Sequence, residues 1–231
     1  MARIARIALE GIAYHITQRG NARQQVFFDD ADHQLYLDLL TRYSTESRLA
    51  IHAWCLMPNH VHLIGIPERP NSMSAALRRT HADFARHFNL KHRTCGHVWQ
   101  ARYFSCPLDR NHFWNAMAYI ELNPVRGGIV SRPEDFRWSS AAPRAGRAAV
   151  PRFLQLSPWR EKFNSDEWQS LLRSIDRDKD GFGERLACAG LRGRPLGDQA
   201  FVDSLEDRTQ RTLHLRKVGR HKQDKQPEIG D

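Results

Sequence analysis

The sequence has no apolar run near the roughly 18–20 residues that cross a bilayer, and its opening stretch MARIARIALEGIAYHI lacks a long apolar region and a small-residue cleavage site. These absences argue against a membrane-spanning or exported chain, so we expect a cytoplasmic protein. Cysteine is scarce: Cys55, Cys95, Cys106 and Cys188 stand far apart with no CxxC pair. That spacing suggests reduced thiols rather than a disulfide framework or a cysteine-type zinc site. No GxxxxGK[ST] occurs, so nothing points to ATP-driven chemistry. No internal repeat is visible either.

What is present suits a folded chain. Of 231 residues, 41% are hydrophobic, 10% aromatic and 26% charged, enough apolar mass for one core and an appendage. Acid is the minority charge, with 26 Asp and Glu against 35 Lys and Arg, a net charge of +9. The excess is local. Residues 69–102 carry seven basic side chains against Asp83, and residues 208–225 carry seven against Asp224, so each stretch holds +6 and the remainder −3. Two such patches fit a polyanion, most often nucleic acid.

Hydrophobic spacing gives the element order. Residues 11–18 alternate as a half-buried strand ending at Arg19-Gly20-Asn21. Residues 30–44 place Leu35, Leu39 and Leu40 on a helical stripe, with Asp at the start. Residues 50–57 and 61–66 read as a hairpin around Pro58-Asn59. Helix 72–88, strand 98–108 and helix 111–123, stopped by Pro124, complete the series. Strand, helix, hairpin, helix, strand, helix predicts an α+β fold, one antiparallel sheet with helices on a face. The small, basic stretch 141–150 reads as a linker, and 167–173 and 198–213 as helices of a mainly helical basic C-terminal extension. The expected division is a catalytic domain over 1–142, a linker and helical segment over 143–190, and a basic extension over 191–231 whose tail is expected to be flexible.

His60-Val61-His62 is the sharpest chemical feature. On a strand, i and i+2 face one side, roughly 6.5–7 Å apart along the chain, so two imidazoles can converge on a divalent metal. An isolated pair of this kind also arises as a structural or surface feature. Ile64 stands where a histidine-triad hydrolase needs a third histidine, and the acids of an HxHxDH site are absent. Tyr119 and Asn123, four apart, share a helical face. Asn123 offers a carbonyl oxygen suited to Mg²⁺ or Mn²⁺, and Tyr119 a phenol, although a tyrosine so placed also serves as a packing residue.

MPNHVHLI, AYHITQRGN, GHVWQARYFSCPLD, AYIELNPVRGGIV and EDFRWSSA together resemble the one-tyrosine HUH transposases, and specifically the REP-associated tyrosine transposases of bacteria. The resemblance runs in register over residues 4–142 and more faintly through GRPLGDQAFVDSLE and RKVGRHK. It implies a ferredoxin-like, RRM-like sheet, with His60, His62 and Asn123 as ligands of Mg²⁺ or Mn²⁺ and Tyr119 as the nucleophile. The implied activity is cleavage and rejoining of single-stranded DNA near hairpin-forming repeats through a 5′-phosphotyrosine. The partner is then single-stranded or hairpin DNA, with nucleoid association when bound, and either a monomer or a homodimer. A domesticated nucleic-acid-binding protein on the same fold is the alternative. Candidate DNA contacts are Arg19 and Asn21 of the RGN turn, Arg78, Arg79 and Arg86 on the second helix, and Trp99, Gln100, Arg102 and Tyr103, which can stack on and hydrogen-bond unpaired bases. The arginines equally suit a solvated helix face, and Trp99 a core position. Arg216, Lys217, Arg220 and Lys222 in the tail would add backbone attraction.

Overall fold

In β1 (Ala13–Arg19) the alternation read from sequence is realised: Tyr14, Ile16 and Gln18 turn to one side of the strand, His15 and Thr17 to the other. The computed structural model describes residues 6–175 and 181–214. β1 pairs antiparallel with both β3 (His60–Pro67) and β4 (Phe104–Leu108), and β2 (Leu49–Met57) extends the sheet on the far side of β3. The strand order is β2-β3-β1-β4. With α1 (Asp30–Ser47) between β1 and β2, and α2 (Ser72–His92) between β3 and β4, this is the βαββαβ arrangement of ferredoxin-like folds.

Local chemistry fixes each long helix. Asp29 caps α1 by accepting from the Asp32 N–H, and Arg48 ends it in the left-handed region. Asp109 caps α3 (Arg110–Arg126) through the His112 N–H. α1 and α2 pack on each other and on β2, and α2 also packs on β3. α3 lies against the sheet face that carries His62, so this face is covered as well. α3 does not stop before Pro124, as expected, but runs through it to Arg126. Pro124 sits in the last turn, where its missing N–H forfeits one bond, and its carbonyl accepts from the Ile129 N–H at 2.9 Å.

The strand expected over 98–108 is shorter, Phe104–Leu108. Upstream of it the chain leaves the sheet because Trp99 and Tyr103 turn into the core, and the Trp99 indole N–H donates to the His81 carbonyl at 2.9 Å.

The linker expected over 141–150 needs correction, because its first four residues form α4 (Ala141–Arg144) and are all buried. Arg144 is 2% exposed and pairs with Glu121 of α3, itself fully buried. The same carboxylate accepts from the Ser140 hydroxyl and, at 2.8 Å, from the indole N–H of Trp168. A second N–H of the guanidinium donates to the His52 carbonyl, at the bulge between Ile51 and Ala53 where β2 slips register against β3.

Beyond α4, the chain adds α5 (Ser157–Lys162), α6 (Ser165–Ser174), α7 (Phe182–Arg192) and α8 (Gln199–Thr209). One continuous core joins Tyr36 and Trp54 to Trp159, Trp168 and Leu186, so packing is unbroken across position 142. Leu205 and Leu213 form a smaller cluster with Ile7, and Leu196 bridges Leu108, which ties residues 191–214 to the sheet. Among the described residues no helix is long and apolar enough to cross a membrane.

The glycine of the Arg19-Gly20-Asn21 turn is demanded by close approach rather than by backbone angles. A Cβ at Gly20 would collide with the Gln24 carbonyl oxygen and meet Val26 Cγ1 at 2.9 Å. Gly20→Ala should therefore lower stability by about 1–3 kcal/mol, read from the urea midpoint with the slope unchanged.

Candidate functional site

Strand β3 presents His60 and His62 on one face, with Val61 and Leu63 buried on the other. Their imidazole centroids are 4.9 Å apart. α3 brings Tyr119 over this pair, its ring 6.3 Å from that of His62, and Asn123 follows one turn later at 8% exposure. His60, His62, Tyr119 and Asn123 line one cavity of about 200 Å³, together with Arg19 and Gln100. The four residues singled out for chemistry are thus brought together.

The imidazoles are oriented from behind. His60 Nδ1 lies 2.6 Å from Asn59 Oδ1, so this nitrogen donates and Nε2 keeps its lone pair. His62 Nδ1 lies 2.9 Å from Nε2 of His15, which stacks on it with ring centroids 5.1 Å apart. Burial, reinforced by the Arg19 charge, lowers the His60 pKa to about 4, and burial alone lowers that of His15 to about 3. His62 falls well below its ordinary value, first through burial and then because His60, His15 and Arg19 beside it disfavour a further positive charge. Neutral rings with one nitrogen committed and the other available are the form in which histidine binds a metal.

The donor set fits a divalent cation. Asn123 Nδ2 is buried with no hydrogen-bond partner among the described residues, so no bond from this nitrogen fixes the amide away from the histidines. Two neutral imidazoles and an amide carbonyl would leave the charge of Mg²⁺ or Mn²⁺ undiminished, with positions open for phosphate oxygens.

Several residues of the site were not found by sequence reading. His15 was read only as part of an alternating strand, and Asn59 only as a turn residue. Arg126 places its guanidinium 4.5 Å from the centre of the Tyr119 ring and donates to the Tyr119 carbonyl at 3.0 Å. α7 closes one wall with Gly183, Leu186, Ala187, Gly190 and Leu191, and Phe182 sits 6.0 Å from the Tyr119 ring. Its small residues leave room, since a Cβ at Gly190 would meet nothing within 4 Å. The spacing of Gly183, Ala187 and Gly190 was the available signal.

The expected DNA contacts divide. Arg79 pairs with Glu46 and lies over the Tyr43 ring, while Arg86 pairs with Asp83. Arg78 and Arg102 are exposed and have no acidic partner among the described residues. Trp99 and Tyr103 are buried in the core, at 9% and 6% exposure, so their rings are not open stacking platforms. Asn21 is exposed, and its backbone N–H donates to the Val98 carbonyl at 2.8 Å. Arg216, Lys217, Arg220 and Lys222 lie outside the described residues.

Residues 8–123 match the family model described as "Transposase IS200 like". The chain is 24% identical over 133 residues to the REP-associated tyrosine transposase of Escherichia coli (strain K12), covering 57% of this chain and 76% of that protein. Its architecture resembles a solved structure of a REP-associated tyrosine transposase bound to a REP hairpin, with a TM-score of 0.53 and 22% identity over 67% of this chain and 92% of the other.

Proposed function

Because the chain belongs to the IS200-like transposases, we propose that it is a metal-dependent endonuclease and strand transferase acting on single-stranded DNA beside hairpin-forming repeats. One observation carries this reading: a tyrosine shares a single cavity with two histidines and an asparagine. The hairpin described for the solved relative supports hairpin DNA as the substrate class.

His60, His62 and Asn123 would hold Mg²⁺ or Mn²⁺. When bound, the cation supplies Lewis-acid stabilisation of charge on the scissile phosphate. The remaining work belongs to the chain. The Tyr119 oxygen attacks phosphorus as its proton leaves, a Tyr–O–P bond forms, and the bond from phosphorus to the 3′ oxygen breaks. That oxygen takes up a proton and departs as a 3′-OH, while the DNA 5′ end stays on the enzyme. A phosphodiester has been exchanged for a phosphodiester, so a 3′-OH can reverse the step without ATP. Arg19, at the end of β1, supplies positive charge in the cavity that would receive the phosphate, and Arg126 holds the Tyr119 ring from the side. Asn59 and His15 hold the two imidazoles in register.

The test uses labelled hairpin DNA with single-stranded flanks, incubated with Mn²⁺ or Mg²⁺ and resolved on a denaturing gel. A nicked product and a protein–DNA band should form with the metal and vanish in EDTA. Cleavage that persists in EDTA contradicts the metal assignment, and equal cleavage of perfect duplex contradicts the substrate class.

A further inference from the structure

His60 and His62 are held from behind by partners of different kinds. Asn59 Oδ1, 2.6 Å from His60 Nδ1, can only accept, so the hydrogen of His60 is on Nδ1 and its other nitrogen is bare. His15 Nε2, 2.9 Å from His62 Nδ1, can donate or accept. The contact itself therefore leaves the tautomer of His62 open.

The far side of His15 decides it. His15 is 2% exposed, its ring plane 14° from that of His62. Its Nδ1 is buried with no hydrogen-bond partner among the described residues. The cross-strand neighbours, Ile64 and Cys106, are fully buried, and the Cys106 thiol is turned to the Pro107 carbonyl. Rings so deep are neutral, and each carries one hydrogen. Two arrangements follow. In the first, His15 Nε2–H donates to His62 Nδ1, the hydrogen of His62 is on Nε2, and His15 Nδ1 is a bare lone pair. In the second, His62 Nδ1–H donates to His15 Nε2, His62 Nε2 is bare, and His15 Nδ1 becomes an N–H with nothing to receive it. A buried N–H without an acceptor is the rarer defect in folded proteins, so the fold favours the first. Only the second leaves His62 Nε2 able to ligate a cation.

We propose that His15 is a positioning residue that keeps His62 in its non-ligating tautomer until a divalent cation is taken up, when the two rings exchange tautomers together. The proposal rests on the metal-site reading given above. The hydrogens balance: His62 Nε2 gives one to solvent through the cavity that both rings line, the shared one crosses from His15 Nε2 to His62 Nδ1, and His15 Nδ1 takes one up from solvent. The pair holds two hydrogens before and after, and neither ring becomes charged. Loading the site thus costs the core an orphaned donor, a cost that His60 does not carry.

The experiment records ¹H–¹⁵N spectra of the full chain with labelled histidines, before and after addition of Zn²⁺ as a diamagnetic substitute for Mn²⁺. The ¹⁵N–¹⁵N coupling across the bond between His15 and His62 identifies the pair without any substitution. Free of metal, both Nε2 resonances should lie where N–H nitrogens do and both Nδ1 resonances where bare nitrogens do. With Zn²⁺, both Nδ1 resonances should move to N–H positions and His62 Nε2 should become metal-bound. A metal-free His62 that already carries its hydrogen on Nδ1 overturns the proposal. So does a His62 that binds Zn²⁺ while His15 Nδ1 stays bare, or a pair that shows no coupling. These three outcomes leave the metal-site reading standing. Resonances of His60 and His62 that do not respond to Zn²⁺ overturn that reading, and the proposal with it.

Discussion

Tyr119→Phe should reduce single-turnover cleavage of hairpin DNA by a factor on the order of 10⁴ or more, the scale seen when a covalent nucleophile is removed. The substitution deletes one oxygen and keeps the ring. The ring's neighbours, His62 at 6.3 Å, Phe182 at 6.0 Å and the Arg126 guanidinium at 4.5 Å, pack on the ring that phenylalanine keeps. Melting temperature and hairpin affinity should therefore stay near those of the parent, because phosphate contacts dominate affinity. Loss of cleavage accompanied by loss of binding would assign Tyr119 to DNA recognition instead.

The second large effect is on stability. Glu121→Ala should lower the unfolding free energy by about 3–5 kcal/mol, since it strands the Arg144 charge in a site from which water is excluded. For a chain of this length the melting temperature should fall by roughly 10 °C. Arg144→Ala should cost a similar amount by stranding the carboxylate. The double variant Glu121→Ala/Arg144→Ala should recover part of the loss, because neither charge is then left alone. A double variant as unstable as the sum of the two singles would show that the pair is not coupled. The consequence reaches the site: Glu121 lies on α3 between Tyr119 and Asn123, and its partners Arg144 and Trp168 come from α4 and α6. Holding one side of α3 to the later helices fixes the side that faces His62.

This anchoring explains what could and could not be read from the chain. The sheet was legible because β1 alternates and two apolar runs flank the turn at Pro58-Asn59, and the His60–His62 pair inherits its geometry from the two-residue period of a strand. Tyr119 and Asn123 were legible as a pair because their spacing is one helical turn. Arg144 was not, because AAPRAGRAAV has the composition of a linker and only the distant Glu121 and Trp168 make it a core residue. Trp99 and Tyr103 were ambiguous for the opposite reason: the same ring serves a base or a core, and burial decides for the core. α7 was missed because its segment matched no motif, yet it forms a wall of the catalytic cavity. His15 gave no signal beyond strand alternation, since its part, a bond to His62 Nδ1, follows from the pairing of β1 with β3.

The central claim is that Tyr119 becomes joined to DNA. The most direct measurement traps the protein with hairpin DNA in Mn²⁺, digests with nuclease and trypsin, and identifies the peptide that keeps a 5′-nucleotide by mass spectrometry. The account predicts the modification on residues 111–126, NHFWNAMAYIELNPVR, in which Tyr119 is the sole tyrosine. A nucleotide on any other peptide, or cleavage with no covalent species, would contradict it.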